Sequence, residues 1–115
     1  MQLKIELIKH GIWVQPAGDL DLLVADSLRH ELTNALKKYA AKILVFDFSK
    51  VTFIDSSGLG VILGRYRQLA PLGGKVSIVG CSPQIYKIIE LSGLTRVIAV
   101  EEPIKTRIAR LKEGM

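Results

Sequence analysis

The sequence contains a single cysteine, Cys81, among its 115 residues. One thiol cannot form a disulfide within the chain and cannot build a cysteine-based zinc cluster. No apolar run approaches the ~18 residues that a membrane-spanning helix needs. The first residues also do not follow the basic, apolar and small pattern of a signal peptide. We therefore predict a cytoplasmic protein with no metal site and no membrane partner.

Aromatic residues are scarce, at one Trp, three Tyr and three Phe, and the positive charge is dispersed. The net charge is +5 and the basic residues are spread from Lys4 to Lys112. A surface that binds nucleic acid directly would cluster its basic residues and interleave aromatic ones. The composition therefore predicts no direct nucleic-acid contact, although the positive charge favours encounters with acidic partners.

Several catalytic motifs are also missing. The nucleophile elbow Gly-x-Ser-x-Gly fails because Ile54 and Asp55 stand where its first glycine would precede Ser56 or Ser57. A P-loop fails because Val76 follows Gly74-Lys75 in place of Ser or Thr. We predict surface positions for the two histidines, His10 and His30, and we predict that the protein is not an enzyme.

Three glycines follow the serines, at positions 58, 60 and 64. Their third member comes one residue late for a dinucleotide fingerprint, and 115 residues are too few for two mononucleotide-binding halves. We interpret the glycines as sites of close helix–sheet packing. No cofactor is predicted, and weak nucleotide contact stays open.

The hydrophobic pattern alternates between the periods of strands and helices. It predicts the order ββαβαβαβα, with a loop at residues 18–21, in one α/β domain over residues 1–115. We expect a STAS-type fold: a mostly parallel sheet of four to five strands with about four helices. The predicted strands cover residues 3–7, 12–14, 43–48, 75–79 and 97–100, and the helices cover about 23–39, 57–70, 83–92 and 102 onward.

The most informative segment is Asp-Ser-Ser-Gly-Leu-Gly at residues 55–60, where a strand gives way to a helix. The first turn of a helix carries unpaired N–H groups and favours negative charge. A serine there can cap the helix, or it can carry a phosphoryl group. Because loops after parallel strands gather at one edge of a sheet, the turns at 18–21, 55–58 and 82–83 should be neighbours. Asp19 or Asp21 could also simply cap the first helix, and Asp55 the second.

Residues 53–66, FIDSSGLGVILGRY, strongly resemble the anti-sigma factor antagonists of the STAS domain family, those of stage II sporulation more than the general-stress ones. Gly18-Asp19-Leu20-Asp21 is similar to the family's Gly-Glu-Leu-Asp loop, with Asp19 in place of the usual Glu. Residues 82–83 and 92–94 also match.

The resemblance implies partner switching. The unphosphorylated antagonist would bind an anti-sigma factor that is also a GHKL-type serine kinase, and would thereby free the sigma factor. That kinase would phosphorylate the first serine after the aspartate, Ser56, and so release the antagonist, and a PP2C-type phosphatase would restore it. Ser57 would chiefly cap or pack the helix. The residues expected to bind the partner are Asp19, Asp21, Asp55, Ser56, Ser57, Gly58, Leu59 and Ser82.

Two other functions stay open at this point. One is a STAS-type regulatory subunit of a transporter or lipid-trafficking ATPase complex that is not phosphorylated. The other is a small enzyme or nucleotide-binding protein that uses Ser56.

Overall fold

The computed structural model describes residues 1–114. Its strands and helices follow one another much as the hydrophobic periodicity of the sequence predicts. The order is ββαββαβαβα, with short 3-10 turns at Ala70–Leu72 and Leu94–Arg96. The strands are β1 (Gln2–Ile8), β2 (Gly11–Leu20), β3 (Ile43–Asp47), β4 (Val51–Ile54), β5 (Lys75–Val79) and β6 (Ala99–Val100). The helices are α1 (Leu22–Lys38), α2 (Ser56–Leu69), α3 (Pro83–Leu91) and α4 (Ile104–Glu113).

The sheet has the strand order β1-β2-β3-β5-β6, and β4 also pairs with β2. Only β1 is antiparallel to its neighbour; the other described pairs are parallel. The strand β2 pairs first with β3, as in Val14 with Phe46, and then with β4, as in Leu20 with Ile54. The fold class is confirmed, and the length of β2 brings two successive strand ends to one edge of the sheet.

The strand β4 is an addition to the predicted order. Its buried residues are Val51 and Ile54, with Thr52 and Phe53 exposed between them, so the alternation that marks a strand is absent. The prediction of a loop at residues 18–20 was also wrong. These residues continue β2, because they pair with β4. Gly18, with a φ of 92°, accommodates the register shift at this point.

The core lies between the sheet and the helices. The apolar residues that α1 buries include Leu28, Leu32 and Leu36, whereas Tyr39, directly after the helix, is exposed. Helix α2 buries Ile62 and Leu69, and α3 buries Ile85 and Ile89. The apolar residues of α4, by contrast, are exposed. Arg110 of this helix forms ion pairs with Glu102, just before the helix, at 2.8 Å and with Glu90 of α3 at 3.9 Å.

Two features of α2 fix its position. The buried guanidinium of Arg65 donates from Nη1 to the backbone oxygen of Arg29 on α1 at 3.0 Å. Burial, and secondarily the charge of Arg29, lower the pKa of Arg65. At the start of the helix, a methyl group on Gly58 would collide with the backbone oxygen of Leu20 and with Ile54. The first turn of α2 therefore rests directly on the end of β2.

Candidate functional site

The turn between β4 and α2 is organised by Asp55. Its Oδ1 accepts hydrogen bonds from the N–H groups of Ser57 at 2.8 Å and Gly58 at 3.2 Å. Asp55 is thus the N-cap of α2, as the capping interpretation predicts. Of the two roles expected for Ser57, capping or packing the helix, the structure does not show capping: Ser57 is the second helical residue, and its N–H is already bound by Asp55.

Ser56 is the first residue of α2 and is exposed, whereas Ser57 is half-buried. The capping hydrogen bonds of this helix are made by Asp55, so the hydroxyl of Ser56 is not needed to start the helix. The structure therefore distinguishes the two serines. Ser56 is the more exposed of the two.

Asp21 stands at the equivalent position one strand away. It is the N-cap of α1 and accepts from the N–H of Leu23 at 3.1 Å. The N–H of Asp55 donates to the backbone oxygen of Leu20 at 3.3 Å, so the two caps follow paired strand ends. The predicted adjacency of the turns at 18–21 and 55–58 is confirmed.

Asp19 has a different local role. Its Oδ1 accepts a hydrogen bond of 2.7 Å from Thr52 Oγ1 on β4, so Asp19 ties the two strands together and does not cap α1. Asp19 and its partner Thr52 are both exposed. Together with Asp21 and Asp55, it gives this edge of the sheet an acidic character.

Ser82 does not join this group. It caps α3 by accepting from the N–H of Ile85 at 3.2 Å, and Ser92 lies ten residues further on, about 15 Å along the helix. The residues near Ser56 come from this far end of α3. A hollow of about 380 Å³ brings them together with α2, and its walls are formed by Ser56, Leu59, Gly60, Leu63, Ser92, Gly93, Leu94 and Val97. The 82–83 turn, expected to neighbour the 55–58 turn, is not among these walls, because the segment directly after α3 faces α2 there.

Exposed apolar side chains occur on the same elements and were missed from the sequence. Leu22 and Leu23 open α1 and are 75% and 90% exposed, and Val97 at the hollow is 46% exposed. A signal was available for the leucines, since both precede Val24, the first residue of α1 that packs against the core. Acidic caps, an accessible hydroxyl and exposed apolar side chains together suit contact with another protein.

Away from this turn, the candidate reactive or metal-binding groups are the histidines, the cysteine and possible metal ligands. His10 lies in the β1–β2 turn and His30 contacts Asn34, so both are surface residues as predicted. Cys81 is buried, and burial raises the pKa of its thiol, with a further contribution from the charge of Glu101. Across residues 1–114, no group of three potential metal ligands is found, and no helix is long and apolar enough to span a membrane.

The glycines of α2 divide into two kinds. Gly58 packs tightly on β2, as predicted, but Gly60 and Gly64 would each accept a methyl group without meeting any atom within 4 Å. Close packing therefore does not explain these last two positions, although Gly60 borders the hollow at Ser56.

Comparisons with known proteins agree with this fold and site. Residues 3–110 match the STAS domain family. The chain is 31% identical over 102 residues to an anti-sigma F factor antagonist of Paenibacillus polymyxa, covering 87% of each protein. It is 26% identical over 117 residues to that of Lysinibacillus sphaericus, covering 99% of this chain and 100% of the relative.

A solved structure of the Bacillus cell fate determinant SpoIIAA in its phosphorylated form is similar as well. It superposes with a TM-score of 0.68 at 25% identity, over 96% of this chain and 99% of that protein. The chain belongs to the STAS domain family and is similar over most of its length to that family's anti-sigma factor antagonists.

Proposed function

We propose that this protein is a phosphorylation-controlled anti-sigma factor antagonist. Its unphosphorylated form binds an anti-sigma factor that is also a GHKL-type serine kinase, and this frees a sigma factor in the cytoplasm. Phosphorylation of Ser56 by that kinase ends the complex, and a PP2C-type phosphatase restores the active form. The names of the two relatives as anti-sigma F factor antagonists support a role in sporulation.

The observation that carries the proposal is the exposure of Ser56 beside a cap that does not use it. A hydroxyl engaged in capping would have to leave its N–H partners before a kinase could transfer a phosphoryl group to it. In α2 those N–H groups bind Asp55, so Ser56 can be modified without removal of the cap. A relative, the Bacillus cell fate determinant SpoIIAA, has a solved structure in its phosphorylated form, which is consistent with a phosphorylation site in this chain.

The charges at this edge explain how one phosphoryl group could end the complex. A phosphoserine carries about −1.5 to −2 charges at pH 7. It would stand next to Asp55, on the edge that also carries Asp21 and Asp19. A partner packed against this edge would have to bury the added charge without a matching cation, which is costly.

The first test is phosphorylation of the purified protein by a GHKL-type anti-sigma F kinase with ATP. We expect a mass increase of about 80 Da, one phosphoryl group, on wild type and on Ser57→Ala, and none on Ser56→Ala. The Ser57→Ala variant is the matched control because its hydroxyl is one residue away on the same helix. Phosphate found on Ser57 alone would refute the assignment. Binding without any phosphorylation would favour the role in a transporter or lipid-trafficking complex.

The second test is binding of the same kinase to variants of Ser56. We expect Ser56→Ala to bind as wild type does, because a solvent-facing hydroxyl adds little to an interface. Ser56→Asp should bind at least about tenfold more weakly, which corresponds to about 1.4 kcal/mol. Equal affinities of the two variants, measured by calorimetry with both shown to be folded by circular dichroism, would contradict the switch.

A further inference from the structure

The outer edge of β1 carries no partner strand among residues 1–114. The strand is seven residues long, and Ile5 and Leu7 are 37% and 64% exposed. Proteins usually shorten, charge or cover such an edge, because its free N–H and C=O groups can pair with another chain. The strand β1 carries two charged residues, Lys4 and Glu6, but its edge is long, partly apolar and uncovered by other described residues.

The residues whose backbone groups face this edge can be identified from the register. Ile8 pairs with Gly11 across a two-residue turn, so these two form the hydrogen-bonded pair that closes the hairpin. On the other side of β2, the backbone oxygen of His10 accepts from the N–H of Ile43 at 3.1 Å, which fits the same alternation. In an antiparallel pair, hydrogen-bonding residues alternate. The N–H and C=O groups of Leu3, Ile5 and Leu7 therefore point away from β2.

The side chains of β1 alternate between two faces, and the arrangement is symmetric about Ile5 except that the charges on its two sides are opposite in sign. Leu3, Ile5 and Leu7 share one face, and the last two border a groove of about 440 Å³ against Ala35 of α1 and Tyr39, the C-cap of that helix. The opposite face carries Lys4 and Glu6, which form an ion pair of 3.2 Å. Ile5 is the centre of this arrangement: an apolar residue lies two positions on either side, and opposite charges lie one position on either side.

We propose that two copies of this chain associate through antiparallel pairing of their β1 strands, with Ile5 on the two-fold axis. Leu3 of each copy then lies opposite Leu7 of the other, and each pair of outward-facing residues exchanges two backbone hydrogen bonds. Lys4 of each copy lies opposite Glu6 of the other. The symmetry is that of an isologous dimer, in which the same surface serves both partners.

The charges select this register over its neighbours. Pairing of the outward-facing residues also permits centres at Lys4 or Glu6. A centre at Lys4 would place the two lysines opposite each other, and a centre at Glu6 would do the same with the two glutamates. Like charges directly opposite destabilise a strand pair, whereas opposite charges stabilise it. Of these three centres, only the one at Ile5 satisfies the hydrogen bonds, the apolar face and the charges together, and it also pairs the full length of the strand.

The dimer would leave the Ser56 site open. Both β3 and β4 lie along the edge of β2 that is remote from β1. The backbone oxygen of His10 accepts from Ile43 of β3, and on the same side the N–H of Gly18 donates to the backbone oxygen of Lys50, just before β4. Ser56 follows β4, so one strand separates it from the proposed dimer interface. Each dimer would therefore present two Ser56 sites, one on each copy, and both would be free to bind a partner.

The test measures self-association by sedimentation equilibrium from about 10 to about 500 µM protein, a range suited to a small interface. Wild type should form a dimer in that range. Ile5→Pro removes only an N–H that faces the free edge, so the hairpin should keep its hydrogen bonds. We expect this variant to stay folded by circular dichroism and to have a dimer dissociation constant raised at least about tenfold.

Exchanging the charges provides the matched control and identifies the register. Lys4→Glu and Glu6→Lys should each weaken self-association, because each places like charges opposite one another. An equimolar mixture of the two variants should form a heterodimer, and the double variant Lys4→Glu/Glu6→Lys should dimerise as wild type does. A wild type that is monomeric up to the highest concentration would overturn the proposal. Association that is unchanged in Ile5→Pro, or variants that fail to associate when mixed, would overturn it equally.

Discussion

Asp21 and Asp55 occupy equivalent positions at the residue scale, each being the N-cap of a helix that follows a strand. The capping bonds explain why an acidic residue is suitable at each position, and an N-cap side chain contributes about 1 kcal/mol. They do not require a carboxylate, since serine caps a helix about as well. Capping and partner binding can therefore be separated by substitution.

We predict that the carboxylate of Asp21, beyond its cap, contributes to binding of the kinase. Asp21→Ala should lower the free energy of unfolding by about 1 kcal/mol, whereas Asp21→Ser should retain most of it. Both variants should bind the kinase more weakly, because both lack the charge. Denaturant unfolding and calorimetric titration of the two variants check this. Wild-type affinity in Asp21→Ser would show that the residue acts only as a cap.

The sequence predicted those features of the candidate site that depend only on neighbouring residues in the chain. The spacing of Asp55, Ser56 and Gly58 places a cap, an exposed hydroxyl and a close contact within one turn, and the structure has each of these. The position of Ser82 could not be obtained in this way. Ser82 caps α3, but which residues face Ser56 across the hollow depends on the tertiary packing of the segment after α3, which no local pattern predicts.

Among the elements, α2 carries both the core contacts and the candidate site. Its buried residues, among them Ile62 and Leu69, hold the helix against the sheet, while Ser56 and Gly60 face the hollow. Gly60 and Gly64 are both inside the helix, where glycine is unfavourable relative to alanine by roughly 0.5–1 kcal/mol. The structure leaves space for a methyl group at both positions, so folding does not demand either glycine.

We predict that Gly60→Ala and Gly64→Ala each raise the free energy of unfolding by about 0.5–1 kcal/mol. Only Gly60→Ala adds a methyl group at the hollow beside Ser56, so only this variant should weaken kinase binding, by about tenfold if the partner fills the hollow closely. Gly64→Ala is the matched control on the same helix. Equal affinity of both variants would show that the hollow is not part of the partner interface.

The strands show what periodicity could and could not predict at this scale. β5 was predicted to the residue, because its apolar residues stand between the Gly73-Gly74 pair and the turn before α3, and two of them, Val76 and Ile78, are buried. β4 is four residues long and depends on pairing with the extension of β2 at Gly18–Leu20, which in turn depends on β4. Two segments that stabilise each other give no signal when each is considered alone.

For the whole molecule, the structure changes the physical basis of the expected response to phosphorylation. From the sequence, the phosphoryl group was expected to bind the free N–H groups at the start of α2. Two of those groups are already bound by Asp55, so the phosphoryl group would meet a carboxylate as well as the positive end of the helix. The attraction and the repulsion oppose each other, and the modified side chain remains in solvent.

We predict that phosphorylation of Ser56 masks the binding surface and does not refold the domain. The core contacts of α2 at Ile62, Arg65 and Leu69 lie at least a turn and a half away from the modified residue and hold the helix in place. The free energy of unfolding should therefore change by about 1 kcal/mol or less, the scale of one cap or one charge at a helix end. Backbone amide NMR spectra with and without the phosphoryl group should differ only near residues 19–23, 54–60 and 92–97. Shifts that extend to α4, at Ile104–Glu113, would show a conformational change transmitted through the domain and would contradict masking.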